Sequence, residues 1–478
     1  MIFSSLQYLL FLPVVVLLYW RMRGTARLAL VVGASYFFYM SWLPVYGLLL
    51  FGMTSLNWAL GLGIDRTRKN FPARAKALLG CALVANLGCL GYYKYADFVL
   101  TNLMASISFL AGLAHVQNVF MRANPLGIIL PLGISFFVFE FVHYVVDVYR
   151  GDKALKSWLE FAAFAAFFPS QIAGPIKRYQ DFVEWIRKPV PWSQDLLAEG
   201  GALIVQGMFK KLAIADPISA IIAGSYVPGS VLSCPDAWLA AFGFWVQIFC
   251  DFSGYTDIGR GSALLLGIRL PENFRLPYLS VDIGEFWRRW HMSLGSWLRD
   301  YLYIPLGGSR GGRWQTWMSL LVTMTIAGVW HGAAWHFVAF GTFHGIGLVI
   351  NREWRAVLKI AKPLGTICNT SVGLVVSTML TAVFTVIGFL LFRAPDMSVV
   401  ANILLSWFSP DMTCSMVEPI CKSGILTMST VYMAWWGITT RWSRIYSGSI
   451  RYASWTAALI MILAAKPSGV TPFLYFQF

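Results

Sequence analysis

Charge is what this sequence has least of. Only 12% of its 478 residues are Asp, Glu, Lys or Arg, about half the roughly 25% of a soluble domain. Acidic residues are scarcest, 22 against 37 Lys plus Arg. No soluble domain, low-complexity tract or internal repeat stands out, and no P-loop, dinucleotide fingerprint or Gly-x-Ser-x-Gly elbow is convincing. Seven cysteines show no metal-ligand spacing, so no metal site is expected. Cys81, Cys89, Cys250 and Cys368 lie in or near apolar segments and read as packing residues. Cys234, Cys414 and Cys421 fall outside them, and a Cys414–Cys421 disulfide is open if that side is oxidising. The first apolar run, Leu6 to Trp20, lacks the preceding basic region and small-residue cleavage site of a removable signal peptide.

Apolar residues take the place of the missing charge. Hydrophobic types make up 58% of the chain and mean hydropathy is +0.63. Long apolar runs recur from end to end, which implies a polytopic helical membrane protein. The runs are continuous rather than alternating, which argues against an outer-membrane barrel. The net charge of +15 does not imply nucleic acid, because the basic residues cluster in short loops between apolar segments. That is the pattern of cytoplasmic loops, and such a face attracts anionic lipid, an acidic carrier protein or coenzyme A phosphates.

Those loops set an expected topology. Arg21, Arg23 and Arg27 lie inside; spans near 28–42 and 46–64 return the chain to the basic run Asp65–Lys69. A span at 77–93 leads outward, residues 95–124 lie along the outer interface, and 126–149 leads back to Arg150, Lys153 and Lys156. Trp158–Phe168 is too short to cross and runs into Pro169-Ser170-Gln171-Ile172-Ala173-Gly174-Pro175 between basic flanks. This reads as a re-entrant hairpin, and broken backbone at depth survives only inside protein or against a cavity. Residues 196–227 read as a helix interrupted near Lys210-Lys211, followed by a span at 237–257 and an arginine-rich stretch from Arg260 to Arg313. Two apolar halves, about 315–330 and 333–350, meet at His331-Gly332, each marginal as a crossing; spans near 370–392, 424–440 and 452–466 follow. The expected fold is therefore all-α and polytopic, with about 11 or 12 crossings plus re-entrant and interfacial pieces. It forms a single integral-membrane domain over 1–478, with its histidine-bearing core at about 126–350.

His331 is the leading candidate for chemistry. It sits in Val329-Trp330-His331-Gly332-Ala333-Ala334-Trp335-His336, between charge-free runs. An ionisable ring at membrane depth faces protein or a water-filled cavity and marks a functional site by default. The bland alternative is a buried histidine bonding a neighbouring carbonyl. Residues 282–304 read as one amphipathic helix, opened by an Asp282–Glu285 capping box, with Phe286, Trp290, Leu294, Trp297 and Tyr301 on its apolar stripe. His291 then shares an inward face with Trp287, Leu294 and Leu298, and its bland reading is an interfacial core histidine. His336 and His344 read as structural. Asp251 and Asp257, six apart, read as bonding backbone and arginines. A neutral imidazole, with a reference pKa near 6.5, suits removal of a proton from a hydroxyl attacking an activated carbonyl.

Several segments together resemble the membrane-bound O-acyltransferases. They are Pro131-Leu132-Gly133-Ile134-Ser135-Phe136, the Phe168-Pro169 to Pro175 segment, Asp251-Phe252-Ser253-Gly254-Tyr255, Phe286-Trp287-Arg288-Arg289-Trp290-His291, Tyr303-Ile304-Pro305-Leu306-Gly307-Gly308 and Trp330-His331-Gly332. The likeness covers nearly the whole chain, including the C-terminal Pro472–Phe478, and is nearest to bacterial members that O-acetylate exported polysaccharides such as alginate. It implies a ring of tilted helices around a thin centre with a tunnel joining the two faces. His331 matches the family's catalytic histidine and His291 its second histidine, in a place where many eukaryotic members carry asparagine.

The expectation that follows is a multi-pass O-acetyltransferase of the bacterial inner membrane. It would use a cytoplasmic thioester donor, acetyl-CoA or an acyl carrier, and hold no bound cofactor. His331 would act as general base and His291 would orient the donor or assist proton transfer. Arg288, Arg289, Arg299, Trp330, Tyr255 and Ser253 are candidate donor or substrate contacts, although the arginines also suit lipid headgroups. Expected partners are a polysaccharide synthesis complex, alginate, cellulose or another polymer, and a periplasmic SGNH-hydrolase-like acetyltransferase. A transporter or flippase for an acylated or lipid-linked intermediate, and a scaffold subunit of a secretion complex, are the rivals. Broken helices with a deep ionisable group also mark transporters, but no repeated half carries matching interruptions.

Overall fold

The computed structural model describes residues 1–110, 126–172, 174–417 and 420, and every regular element among them is a helix. The first half holds α1 (Leu6–Arg21), α2 (Gly24–Met40), α3 (Val45–Thr67) and α4 (Pro72–Leu90), the last continuing through a π-turn at Gly91–Tyr95 into α5 (Ala96–Leu110). Then come α6 (Ile134–Arg150), α7 (Trp158–Ala165), α8 (Tyr179–Arg187), α9 (Gln194–Met208), a π-turn at Phe209–Ala215 and α10 (Asp216–Ile222). The second half holds α11 (Cys234–Leu265), α12 (Ile283–Arg289), α13 (Met292–Leu298), a π-turn at Arg299–Tyr303, α14 (Gly312–His331) and α15 (Trp335–Ile360). The short α16 (Lys362–Cys368), α17 (Ser371–Arg393) and α18 (Met397–Ser406) follow.

Three of these stretches, Val45–Thr67, Pro72–Ile107 and Ser371–Arg393, are by length and composition long and apolar enough to cross a membrane. The expected spans at 424–440 and 452–466, the Pro472–Phe478 tail, Cys421 and most of the 95–124 segment beyond residue 110 lie outside the described residues.

Side-chain bonds sort the helix ends onto two faces. On one, Arg68 donates to the Val148 carbonyl at 2.7 Å, the Ala154 amide donates to Asp65, and Arg178 pairs with Asp300 at 2.7 Å. The Tyr301 hydroxyl on this side donates to Asp147 at 2.6 Å. These are the basic loops of the sequence, gathered together. On the other face the Tyr46 hydroxyl bonds the Ile129 carbonyl, and Trp42, Lys94, Leu130 to Phe136 and the end of α14 surround one cavity.

The re-entrant hairpin has the expected form. After α7 the chain runs irregularly and fully buried through Phe167, Phe168, Ser170 and Gln171. It reaches Ile172 beside Gly133, on the face away from the basic loops, and returns to Arg178 among them. Gly133 has φ +69, and a Cβ there would lie 2.6 Å from the Gln171 carbonyl oxygen, so a side chain cannot be accommodated. The returning limb is pinned by Lys177, whose ammonium donates to both oxygens of Glu140 at 2.7 and 2.8 Å in the interior.

Two sequence expectations change in the structure. Residues 282–304 do not form one helix. The capping box holds, with the Glu285 amide donating to Asp282 at 2.8 Å and the Glu285 carboxylate accepting from the Val281 amide at 2.9 Å. The helix then breaks at Trp290-His291, because the preceding irregular strand of chain claims the backbone: the Arg275 amide donates to the Arg289 carbonyl, and the Met292 amide donates to the Asn273 carbonyl. The apolar halves near 315–330 and 333–350 form an antiparallel hairpin of 20 and 26 residues turning at Gly332–Ala334, and neither is among the stretches long and apolar enough to cross a membrane. Finally, Asp251 and Asp257 face lysines across the interior: Lys211 pairs with Asp251 and Asp216 at 2.7 Å each, and Lys210 pairs with Asp257 at 2.6 Å. Arg260 is only a second neighbour of Asp257, at 3.6 Å.

Backbone contact brings the hairpin and its neighbours together. A Cβ on Gly328 or Gly341 would strike the facing helix backbone, so α14 and α15 meet main chain to main chain. Gly207 of α9 and Gly254 of α11 face each other likewise, a Cβ on Gly254 falling 2.7 Å from the Gly207 carbonyl oxygen. That closeness lets Lys210 and Lys211 reach the carboxylates of α11.

Candidate active site

His331 is the last residue of α14, at the tip of the hairpin. Gly332 takes extended backbone there (φ −164), and a Cβ on it would overlap the Phe337 ring, so glycine is what lets the turn tuck under α15. The imidazole is 6% exposed. Its ring packs edge-on against Trp330, Phe340 and Phe392 at centroid distances of 4.8, 5.9 and 5.2 Å. One side reaches a cavity of about 80 Å³ lined by Trp42, Lys94, Leu130 to Phe136, Ile172, Trp330 and His331. This cavity lies on the face opposite the basic loops, with half-exposed Trp42 at its edge.

Trp330 is the centre of the site. It stacks on Phe139 at 5.0 Å, and Phe139 stacks on Trp297 at 3.8 Å, so a three-ring column joins α13 to α14 through α6. The Trp297 indole N–H donates to the Phe139 carbonyl at 3.1 Å and fixes the column. Trp330 neighbours both candidate histidines: its centroid is 4.8 Å from His331 and 6.4 Å from His291.

His291 is 1% exposed and holds φ +43, one of two non-glycine residues with positive φ among the described residues. A left-handed non-glycine residue costs about 1–3 kcal/mol, and such outliers concentrate at functional sites. The surroundings enforce it: Ser293 donates from its hydroxyl to Asn273 at 2.6 Å, and the Ile176 amide of the re-entrant limb donates to Ser293 at 3.0 Å. The ring lies edge-on to Phe252 at 4.7 Å. Neither nitrogen of His291, nor the indole N–H of Trp330, bonds a described residue. Unpaired buried polar groups are rare and call for a role.

The remaining candidates are spread out. Ser253 and Tyr255 are buried on α11, where Tyr255 stacks on Phe3 at 4.4 Å, and neither lines the cavity at His331. Arg289 pairs with Glu285 at 2.6 Å, Arg299 with Asp300 at 2.8 Å, and Arg288 is exposed; all three sit outside the cavity. His336 bonds the Leu391 carbonyl at 3.0 Å, and His344 is enclosed by Trp287, Phe340, Phe343 and Phe384. No cluster of three metal-ligating side chains occurs among the described residues. Cys414 donates to Asp236 at 3.4 Å.

Sequence reasoning missed Lys94. Its ammonium donates to the carbonyls of Trp330 at 2.6 Å and His331 at 2.9 Å, while the Tyr95 hydroxyl donates to the Val329 carbonyl at 2.8 Å. The one available signal was a lysine at the far end of an apolar run, away from every basic loop.

Residues 78–391 match the family model described as MBOAT, membrane-bound O-acyltransferase family. The probable alginate O-acetylase of Pseudomonas putida is 35% identical over 510 residues, covering 100% of both chains. That of Pseudomonas aeruginosa is 38% identical, over 86% of this chain and 75% of its own. The peptidoglycan O-acetyltransferase of Helicobacter pylori is 34% identical, over 72% of this chain and 69% of its own. With a family match that runs from α4 to α17 and takes in both histidines, and with full-length identity to named O-acetylases, this chain belongs to the membrane-bound O-acyltransferases.

Proposed function

We propose that this acyltransferase acetylates an exported polysaccharide from the inner membrane, drawing acetyl groups from a cytoplasmic thioester, acetyl-CoA or an acylated carrier. The observation that carries the reading is His331, buried at the hairpin tip yet lining a cavity on the face away from the basic loops. A hydroxyl entering that cavity meets the imidazole, and a thioester from the arginine-rich face meets the opposite side of the Trp330 column. His331 takes the hydroxyl proton as its oxygen attacks the thioester carbonyl. The carbon–sulfur bond of the tetrahedral intermediate then breaks, and the departing thiolate takes the proton back. His291, which also neighbours Trp330, orients the donor carbonyl. The names of the relatives support acyl transfer to cell-envelope polymers. The acceptor is either the polymer itself or a serine of a periplasmic SGNH-hydrolase-like acetyltransferase that completes the relay.

His331→Ala is the direct test. Membranes holding the variant should transfer radiolabelled acetyl from acetyl-CoA about 10²- to 10⁴-fold more slowly, with unchanged amounts of folded protein. Normal acetylation by this variant overturns the mechanism.

A further inference from the structure

Helix α14 ends without the usual backbone closure. At Gly332 the chain turns extended rather than left-handed, so no following amide folds back onto the last turn. The carbonyls of Val329, Trp330 and His331 therefore need donors from elsewhere, at a helix end where Trp330, His331 and Gly332 are buried. All three are met by two consecutive residues. Tyr95 serves Val329 at 2.8 Å, and Lys94 serves Trp330 at 2.6 Å and His331 at 2.9 Å.

Lys94 and Tyr95 lie in the π-turn Gly91–Tyr95 within the long α4–α5 stretch. A π-turn inserts one residue into a helix and re-aims the side chains around it, and such turns recur at functional sites. The ammonium pairs with no carboxylate among the described residues. Its counter-charge is the negative end of the α14 dipole. It also stands 6.0 Å from the Trp330 ring centroid and lines the same cavity as His331. A lysine without a carboxylate partner in an apolar helix is costly, and its placement at this helix end calls for a reason.

We propose that Lys94 is a positioning residue for acyl transfer: by capping the Trp330 and His331 carbonyls it fixes the last turn of α14, and with it the direction in which the His331 imidazole meets the acceptor. The inference rests on the acetyl-transfer reading above. It differs from a simple stitch between α4 and α14 in what it predicts for kinetics. Displacement of a general base by a fraction of an ångström slows the chemical step while leaving donor binding alone.

Four proteins in native membranes test it: wild type, His331→Ala, Lys94→Met and Lys94→Arg, each assayed with radiolabelled acetyl-CoA. Lys94→Met should lower kcat roughly 10- to 100-fold, with KM for acetyl-CoA within about twofold. Lys94→Arg keeps the charge and the donors and should restore kcat to within about fivefold of wild type. Wild-type kcat in Lys94→Met overturns the inference. So does a fall in kcat accompanied by a lowered melting temperature and no rescue by arginine, which is the signature of a stitch alone. Should Lys94→Met not fold, Tyr95→Phe removes one capping hydroxyl and no volume; a kcat lowered about two- to fivefold supports the proposal and an unchanged kcat overturns it. Full activity in His331→Ala instead defeats the acetyl-transfer reading, whatever the Lys94 variants do.

Discussion

A single imidazole owes its setting to three unlike residues. Gly332 permits the turn, Lys94 closes the helix end, and Trp330 packs against the His331 ring. His291 is the more informative of the two histidines for a test that separates fold from chemistry. Its backbone is left-handed, a conformation asparagine tolerates better than most residues. His291→Asn should fold with a melting temperature within a few degrees of wild type while acetyl transfer drops at least about tenfold; unchanged transfer would make His291 a core residue only. Trp42 at the cavity edge is a second residue with a distinct expected signature. Losing an aromatic contact of about 0.5–1.5 kcal/mol in Trp42→Ala should raise KM for the polymer acceptor about 3- to 10-fold and leave KM for acetyl-CoA unchanged.

Between elements, missing side chains matter as much as present ones. The α14–α15 hairpin holds because Gly328 and Gly341 let two backbones touch, and Gly341-Thr342-Phe343-His344-Gly345 places a second glycine one turn on. Gly341→Val should therefore destabilise the protein by several kcal/mol through forced separation of the helices, read as a large drop in melting temperature in detergent. Gly33, whose Cβ would meet nothing within 4 Å, gives the control: Gly33→Ala should be neutral or slightly stabilising. The α9–α11 contact works the same way, and its consequence is electrostatic. Close approach at Gly207 and Gly254 brings Lys211 between Asp216 and Asp251. The sequence marked an interruption at Lys210-Lys211, and the π-turn at Phe209–Ala215 lies there.

Across the whole molecule, two faces are tied by a re-entrant limb that starts and ends among the basic loops and reaches the His331 cavity through Ile172. The limb is anchored by the Glu140–Lys177 pair, 4% and 2% exposed at the side chains. Breaking a buried pair leaves an uncompensated charge and costs about 3–5 kcal/mol, whereas replacing both partners with apolar residues is often close to neutral. Lys177→Met alone should thus lower the melting temperature sharply, and the Glu140→Leu/Lys177→Met double variant should recover most of the loss. Additive losses would mean that the two side chains stabilise the limb independently.

Hydropathy and loop charge were enough to identify an all-helical membrane protein, to place the re-entrant hairpin, and to single out His331, because burial in lipid makes every polar residue conspicuous. The Asp282–Glu285 cap was also legible, being local to one turn. What the linear pattern could not yield was anything depending on a partner distant in sequence. The break at His291 follows from Asn273 and Arg275 competing for backbone groups of an otherwise good amphipathic helix. The lysine partners of Asp251 and Asp257 lie about 40 to 47 positions upstream, and Lys94 meets His331 across 237. Apolar periodicity records which side of a helix is buried, not which residue it is buried against. Only tertiary packing decided which carbonyls Lys94 would cap and that both histidines would neighbour Trp330.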